Sequence, residues 1–279
     1  MVLDQNKLYY ERMASSIGDK ARLLPFVTGD RVLEIGFGGG ELLDILDSRH
    51  FDVYGLDASP VSESKVAAKP YGAHTVEAFA DEIGTHWAGE FFDSIILSSV
   101  MHEVFSYGNR DGKGKHSFQS VKDTLASIHA ALTTGGRFIL RDGVLAEKWS
   151  EKIQMTMLNG DVAGVEAYLE LQPFKDRVSL TRVSEDAYLG TMESVESFAY
   201  TYTWGSEALA RESQELFSLM TLNDYSGLIE EAGFRIVHCE EYVQQGYVDA
   251  LSPKMKLEDT HGEAVDFPST NAIWVAEKI

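Results

Sequence analysis

The sequence predicts an α/β fold built on a doubly wound, mostly parallel sheet, and three observations carry that expectation. Short apolar runs alternate with helical patterns through the first half of the chain. A glycine-rich turn joins the first apolar run to the helix that follows it. About seventy residues then separate the fifth run from the next clear helix, where a connection in such a sheet usually takes about 2–6 residues or one helix.

In chain order, apolar residues at Leu8, Tyr9, Met13, Ile17, Leu23 and Leu24 have the spacing of one or two helices ending near Pro25. Arg31 to Gly36 is a buried strand entering a tight turn, and Glu41 to Leu46 resumes helical patterning. Phe51 to Leu56 is a second strand, Val61 to Lys69 a helix, His74 to Phe79 a third strand and Phe91 to Ser98 a fourth. Phe118 to Leu132 is helical and stops at Gly135-Gly136, after which Arg137 to Arg141 forms a fifth strand. Leu222 to Ala232 is a helix closed by Gly233. Phe234 to Val243 and Asn271 to Lys278 are the sixth and seventh strands.

The intervening stretch shows helical patterning at Trp149 to Leu158, Val162 to Leu171 and Ser206 to Met220, and is expected to be an inserted helical cap. A substrate cover and a dimerisation arm are both open readings of it. The expected boundaries are N-terminal helices at 1–28, a core at 29–142 and 216–279, and the cap at 143–215.

Composition narrows the function. The chain has 279 residues with 24 Lys+Arg against 44 Asp+Glu, a formal charge of −20. Such a charge disfavours a job of binding DNA or RNA, which relies on cations neutralising phosphates. One cysteine, Cys239, leaves no internal disulfide and no multi-cysteine zinc site, and the scattered histidines predict no structural metal. No apolar stretch of membrane-spanning length and no signal peptide is visible, so a soluble cytoplasmic protein is expected.

The turn Glu34-Ile35-Gly36-Phe37-Gly38-Gly39-Gly40 lets backbone approach a ligand and offers free N–H groups at a helix start. It departs from the dinucleotide fingerprint, because Glu41 stands where that pattern has its last glycine. A carboxylate there opposes a pyrophosphate, which argues against a nicotinamide oxidoreductase. Glu34 and Glu41 suit a ligand carrying an ammonium group better. Asp57, ending the second strand seventeen residues beyond Gly40, is placed to accept both hydrogens of a ribose diol. Ala80-Asp81-Glu82 after the third strand offers an N–H and an acid to an adenine edge. The ligand so described is a nucleoside joined to an amino acid.

These residues resemble the class I S-adenosylmethionine-dependent methyltransferases. The acid-x-Gly-x-Gly-x-Gly turn matches Glu34, Gly36, Gly38 and Gly40, and the ribose acid matches Asp57. The family's Phe-Asp-x-apolar strand matches Phe92 to Ile96, its Gly-Gly-Arg-apolar segment Gly135 to Ile139, and its Glu-Ala-Gly-Phe Glu231 to Phe234. The third-strand element matches least.

The resemblance implies a Rossmann-like, seven-stranded sheet with an antiparallel last strand, and S-adenosyl-L-methionine as cofactor. It implies cofactor contacts from Glu34, Gly36, Gly38, Gly40, Asp57, Ala58, Ala80, Asp81, Ser98 and Ser99. Tyr10, on an N-terminal helix that closes over the methionine part, is a further contact in that reading.

The methyl group is expected near Ser98 to Val104. His102 there is either a general base or a residue packing at a helix start. The glycine-rich basic loop from Ser106 to His116, with Arg110, Lys113 and Lys115, either holds an anionic substrate or is a solvated turn. Arg141 is a second anion-holding candidate. Trp204, with Tyr200 and Tyr202, either lines an aromatic substrate site or forms the core of a strand pair. The leading reading is methyl transfer to a small-molecule acceptor, anionic or aromatic, by a chain able to form a homodimer. An RNA (tRNA) methyltransferase and a non-catalytic S-adenosylmethionine sensor are the alternatives.

Overall fold

The structure, a computed structural model, describes residues 17–108 and 116–279. The chain divides into two compact units. The first holds the described residues up to Asp142 together with Tyr225–Glu240 and Ile273–Ile279; the second holds Gly143–Asp224 and Glu241–Ala272.

The first unit begins with α1 (Ile17–Lys20), which tightens into a 3-10 turn over Ala21–Phe26. There follow β1 (Arg31–Ile35), α2 (Glu41–Ser48), β2 (Asp52–Asp57), α3 (Pro60–Val66) and β3 (Thr75–Glu77). Then come α4 (Ile83–His86), β4 (Phe92–Ser98), α5 (Met101–Tyr107), α6 (Phe118–Ala131) and β5 (Leu132–Gly143). The next stretch supplies β6 (Lys152–Met157), α7 (Val162–Leu171), β7 (Leu180–Arg182), β8 (Ala187–Thr191), α8 (Met192–Thr203) and α9 (Leu209–Glu212). The chain continues through α10 (Leu222–Glu231), β9 (Phe234–Tyr242), α11 (Gln245–Leu251), β10 (Met255–Asp259), β11 (Ala264–Val265) and β12 (Asn271–Lys278).

Seven strands form one sheet in the order β3-β2-β1-β4-β5-β12-β9, parallel from β3 to β5 and with antiparallel strands near the far end. In β4, Ile95, Ile96 and Leu97 are consecutive and fully buried, as are Phe138, Ile139 and Leu140 in β5. Unbroken apolar runs of this kind occur where a sheet is covered on both faces. Strand β12 follows the same rule from Ala272 to Ala276, and its buried Trp274 donates its indole N–H to Ser226 Oγ at 3.2 Å. Asp93 organises the start of β1 by accepting the N–H groups of Asp30 and Arg31, both at 2.9 Å. Burial would raise its pKa, but those N–H groups outweigh it and hold the carboxyl below its usual range.

Register fixes where the site forms. Ile35 lies opposite Leu56 and Leu97, and Ser98 lies opposite Arg141. The segments leaving β1, β2, β4 and β5 therefore emerge side by side at the carboxyl edge, where open α/β sheets bind ligands.

The second unit corrects the helical cap. Its backbone is a five-stranded antiparallel sheet in the order β11-β10-β6-β8-β7, accompanied by α7, α8 and α11. The expected helix at Trp149 to Leu158 is strand β6: Ile153, Met155 and Met157 are buried while the residues between them are not, a period of two. Its Lys, Gln and Met residues are good helix formers, but pairing with β8 and β10 overrides that preference. Tyr200 to Trp204, whose alternative reading was a strand pair, instead ends helix α8, which Thr191 caps by accepting Ser194 N–H. Of the expected helix at Ser206 to Met220 only the four residues of α9 are helical. The unit also takes in Glu241–Ala272, beyond the expected cap at 143–215.

Candidate active site

The turn after β1 is held open for a ligand by its own backbone. Gly36, Gly38 and Gly40 have φ of 73°, 56° and 83°, the left-handed region where a side chain is costly. Gly36 N–H donates to Leu56 O at 2.7 Å, and a Cβ on Gly36 would lie 2.3 Å from Val100 Cγ2. The glycine turn and the segment leading into α5 are thus in direct contact. The Tyr71 hydroxyl is 2.8 Å from Asp44 Oδ1, to which it donates, and 3.2 Å from Gly40 O, pinning the start of α2.

Asp57 braces the same turn. One carboxylate oxygen accepts Gly38 N–H and the other accepts Ser59 N–H, each at 2.8 Å. Burial raises its pKa, against the pull of those two N–H groups and of the Ser62 hydroxyl. A carboxylate has about four lone-pair sites, so with three donors in place one remains for a ribose hydroxyl.

Glu34 is 1% exposed, and its Oε2 has no hydrogen-bond partner among the described residues. Burial pushes its pKa up to about 8, with the Lys20 ammonium opposing and Glu41 and Asp57 adding to the rise. Below its ordinary value of 4.5 the carboxyl is protonated in folded and unfolded chains alike. Between 4.5 and about 8 the unfolded chain is ionised while the folded chain keeps the proton, so stability falls as pH rises. Above about 8 that loss is complete. The variant Glu34→Gln should therefore gain Tm over the native chain progressively from pH 5 to 8 in ligand-free thermal melts. A constant difference across that range would refute this assignment.

At the ends of β4 and β5 lies a second polar group. His102 is in the first turn of α5 and 5% exposed; Asp142 is fully buried at the end of β5. His102 Nδ1 is 2.6 Å from Asp142 Oδ1, and the His102 backbone N–H donates to Asp142 Oδ2 at 3.1 Å. Both carboxylate oxygens thus engage one residue, which sets the imidazole in one orientation.

Beside them Ser99 has φ of 60°, rare for a side-chain-bearing residue and characteristic of functional turns. Its Oγ accepts from Arg141 Nη1 at 2.5 Å, and its N–H donates to Arg141 O at 2.7 Å. Arg141 is 3% exposed; its guanidinium also grips Asp19 Oδ2, the Nε contact being 2.7 Å. The charge expected to hold an anionic substrate is therefore matched within the unit.

Ala58 is exposed just beyond β2, while Ala80 is buried and Asp81 exposed beyond β3. The latter segment is tied to the end of β2 by Ala78 N–H donating to Asp57 O at 3.0 Å. Ser98 is buried, with an Oγ that has no partner among the described residues. Trp204 caps α8 in the second unit. Tyr10, Arg110, Lys113 and Lys115 lie outside the described residues.

Sequence reasoning missed Asp142 as the partner of His102, Asp19 as the partner of Arg141, and Lys20 as the buried cation beside Glu34 and Asp57. Only Asp142 left a trace, as an acid ending a strand. Among the described residues no helix is long and apolar enough to cross a membrane.

The chain belongs to the methyltransferase domain family, whose model matches residues 9–239. It is an S-adenosylmethionine-dependent methyltransferase with S-adenosylmethionine as methyl donor. Solved structures repeat the fold. An S-adenosylmethionine-dependent methyltransferase from Mesorhizobium loti is 16% identical with a TM-score of 0.54, over 94% of this chain and 97% of that one. One from Methanosarcina mazei is 13% identical with a TM-score of 0.51, over 91% and 95%. A TehB-like methyltransferase from Corynebacterium glutamicum is 14% identical with a TM-score of 0.51, over 99% of both chains. No curated protein matches the chain by sequence.

The residues present fit the donor. Glu34 offers a buried carboxyl oxygen unpaired among the described residues, the glycine turn is free of side chains at three left-handed positions, and Asp57 retains an acceptor site.

Proposed function

We propose that this chain methylates a small-molecule acceptor, with His102 as general base and Asp142 as its positioning residue. The observation that carries the reading is the buried His102–Asp142 pair, 2.6 Å from Nδ1 to Oδ1. A carboxylate only accepts, so Nδ1 carries the hydrogen and Nε2 is the nitrogen able to take a proton. His102 removes the proton of the acceptor's O–H or N–H as that atom's electron pair forms the new bond to carbon. S-adenosylmethionine supplies an electrophilic methyl group whose sulfur leaves as a neutral thioether.

The other residues position and exclude. The glycine turn, Glu34 and Asp57 hold the methionyl and ribose parts, Ala58, Ala80 and Asp81 flank the adenine, and Ser98 and Ser99 border the methyl group. Proximity of this kind, rather than a covalent intermediate, supplies much of the rate. Trp204 of the second unit is the aromatic group for a ring-bearing acceptor.

A charge of −20 supports a small molecule over RNA, since polyanions are repelled. The test is release of S-adenosylhomocysteine with phenols, carboxylic acids, amines and tRNA as acceptors. Turnover with one of the small-molecule classes supports the reading. Turnover with tRNA alone overturns it, and tight cofactor binding without turnover on any class makes the chain a sensor.

A further inference from the structure

The first unit buries a guanidinium that the reaction above leaves without a task. Arg141, near the end of β5, is 3% exposed. Taking a cation out of water is costly, and a paired buried charge contributes little net stability over an apolar side chain of similar volume. What a guanidinium offers instead is a rigid fork of donors.

Those donors reach two elements. Nε and Nη2 donate to Asp19 Oδ2 on α1, and Nη1 donates to Ser99 Oγ at 2.5 Å. The Ser99 N–H returns to Arg141 O, so one residue holds the serine by both its side chain and its main chain. Ser99 needs holding: its φ of 60° is left-handed, a conformation that a Cβ disfavours. Three residues further on, Asp142 binds His102 through both its backbone N–H and Nδ1. Consecutive residues of β5 thus fix the two ends of the Ser99–His102 segment.

We propose that Arg141 is a positioning residue for His102. Its guanidinium holds Ser99 in the left-handed turn that leads into α5, and Asp19 orients the guanidinium. Relaxation of Ser99 to right-handed backbone would redirect the start of α5 and open the bond from Nδ1 to Asp142. This role deepens the general-base reading and rests on it.

Imidazole 15N spectra of the full chain, labelled at histidine, report which ring nitrogen carries the hydrogen, and His102→Ala assigns the signal. Above the pH at which its ring titrates, native His102 should be mainly the Nδ1–H form. In Asp19→Asn/Arg141→Met, which removes both charges together, the ratio of Nδ1–H to Nε2–H should fall about tenfold, the size of one charge-assisted hydrogen bond. Adding Ser99→Gly should bring the ratio back to within about threefold of native, because glycine takes left-handed backbone without an anchor. Loss of an ion pair that only stabilises the fold would lower Tm without moving that ratio. Should the double variant not fold by circular dichroism, Arg141→Lys takes its place, since one ammonium can stay with Asp19 but lacks the fork that spans to Ser99. A native ratio in the folded variant, or a lost ratio that Ser99→Gly leaves unrestored, would overturn the proposal alone. A native chain without the Nδ1–H form would overturn the general-base reading and this proposal with it.

Discussion

Replacing His102 with alanine is expected to lower kcat by about 10²–10⁴-fold, the range a positioned general base contributes. The Kd for S-adenosylhomocysteine should change little, because the imidazole is bonded to Asp142 at the end of β5. The native pH–rate profile should rise on one ionisation, and that rise should be absent from the variant. Asp142→Asn should reduce kcat more than it changes KM, since the amide orients the imidazole less well and favours the wrong tautomer. A variant lacking His102 with native turnover across pH would assign the residue to packing at the start of α5 and leave proximity alone to carry the reaction.

Asp57→Ala is expected to raise the Kd for S-adenosylmethionine by about 10–100-fold, roughly 1.4–2.7 kcal/mol, from a lost charge-assisted hydrogen bond. The alanine also strips the Gly38 and Ser59 N–H groups of their partner, so the turn loses its brace as well as its ribose acceptor. Asp57→Asn separates these effects. It keeps one acceptor oxygen for the turn but sets an NH2 against the other N–H and loses the charge, and should give an intermediate affinity with a smaller loss of Tm than the alanine. Calorimetry with S-adenosylhomocysteine checks both; native affinity in Asp57→Ala would remove this residue from the cofactor site.

The local signals in the sequence were strongest where one element does its work without a distant partner. Gly36, Gly38 and Gly40 are glycines because that turn needs left-handed backbone, a demand visible in one dimension. The apolar runs of β1, β4 and β5 announce strands covered on both faces for the same reason. Strand β6 was hidden because a strand's propensity depends on its neighbours, and those neighbours, β8 and β10, lie about 35 and 100 residues along the chain. The helical end at Tyr200 to Trp204 was equally ambiguous, since closely spaced aromatics fit either period over five residues.

The sequence by itself determined the class of sheet, the glycine turn after β1, the acid at Asp57 and the placement of His102 shortly after β4. Each of these follows from residues adjacent in the chain. Tertiary structure alone decided which groups meet across it: Asp142 with His102 over 40 residues, and Arg141 with Asp19 over 122. The physical reason is that such a hydrogen bond is set by strand register and helix packing. Sequence period constrains the face a residue takes, but it carries no record of the partner that face will meet.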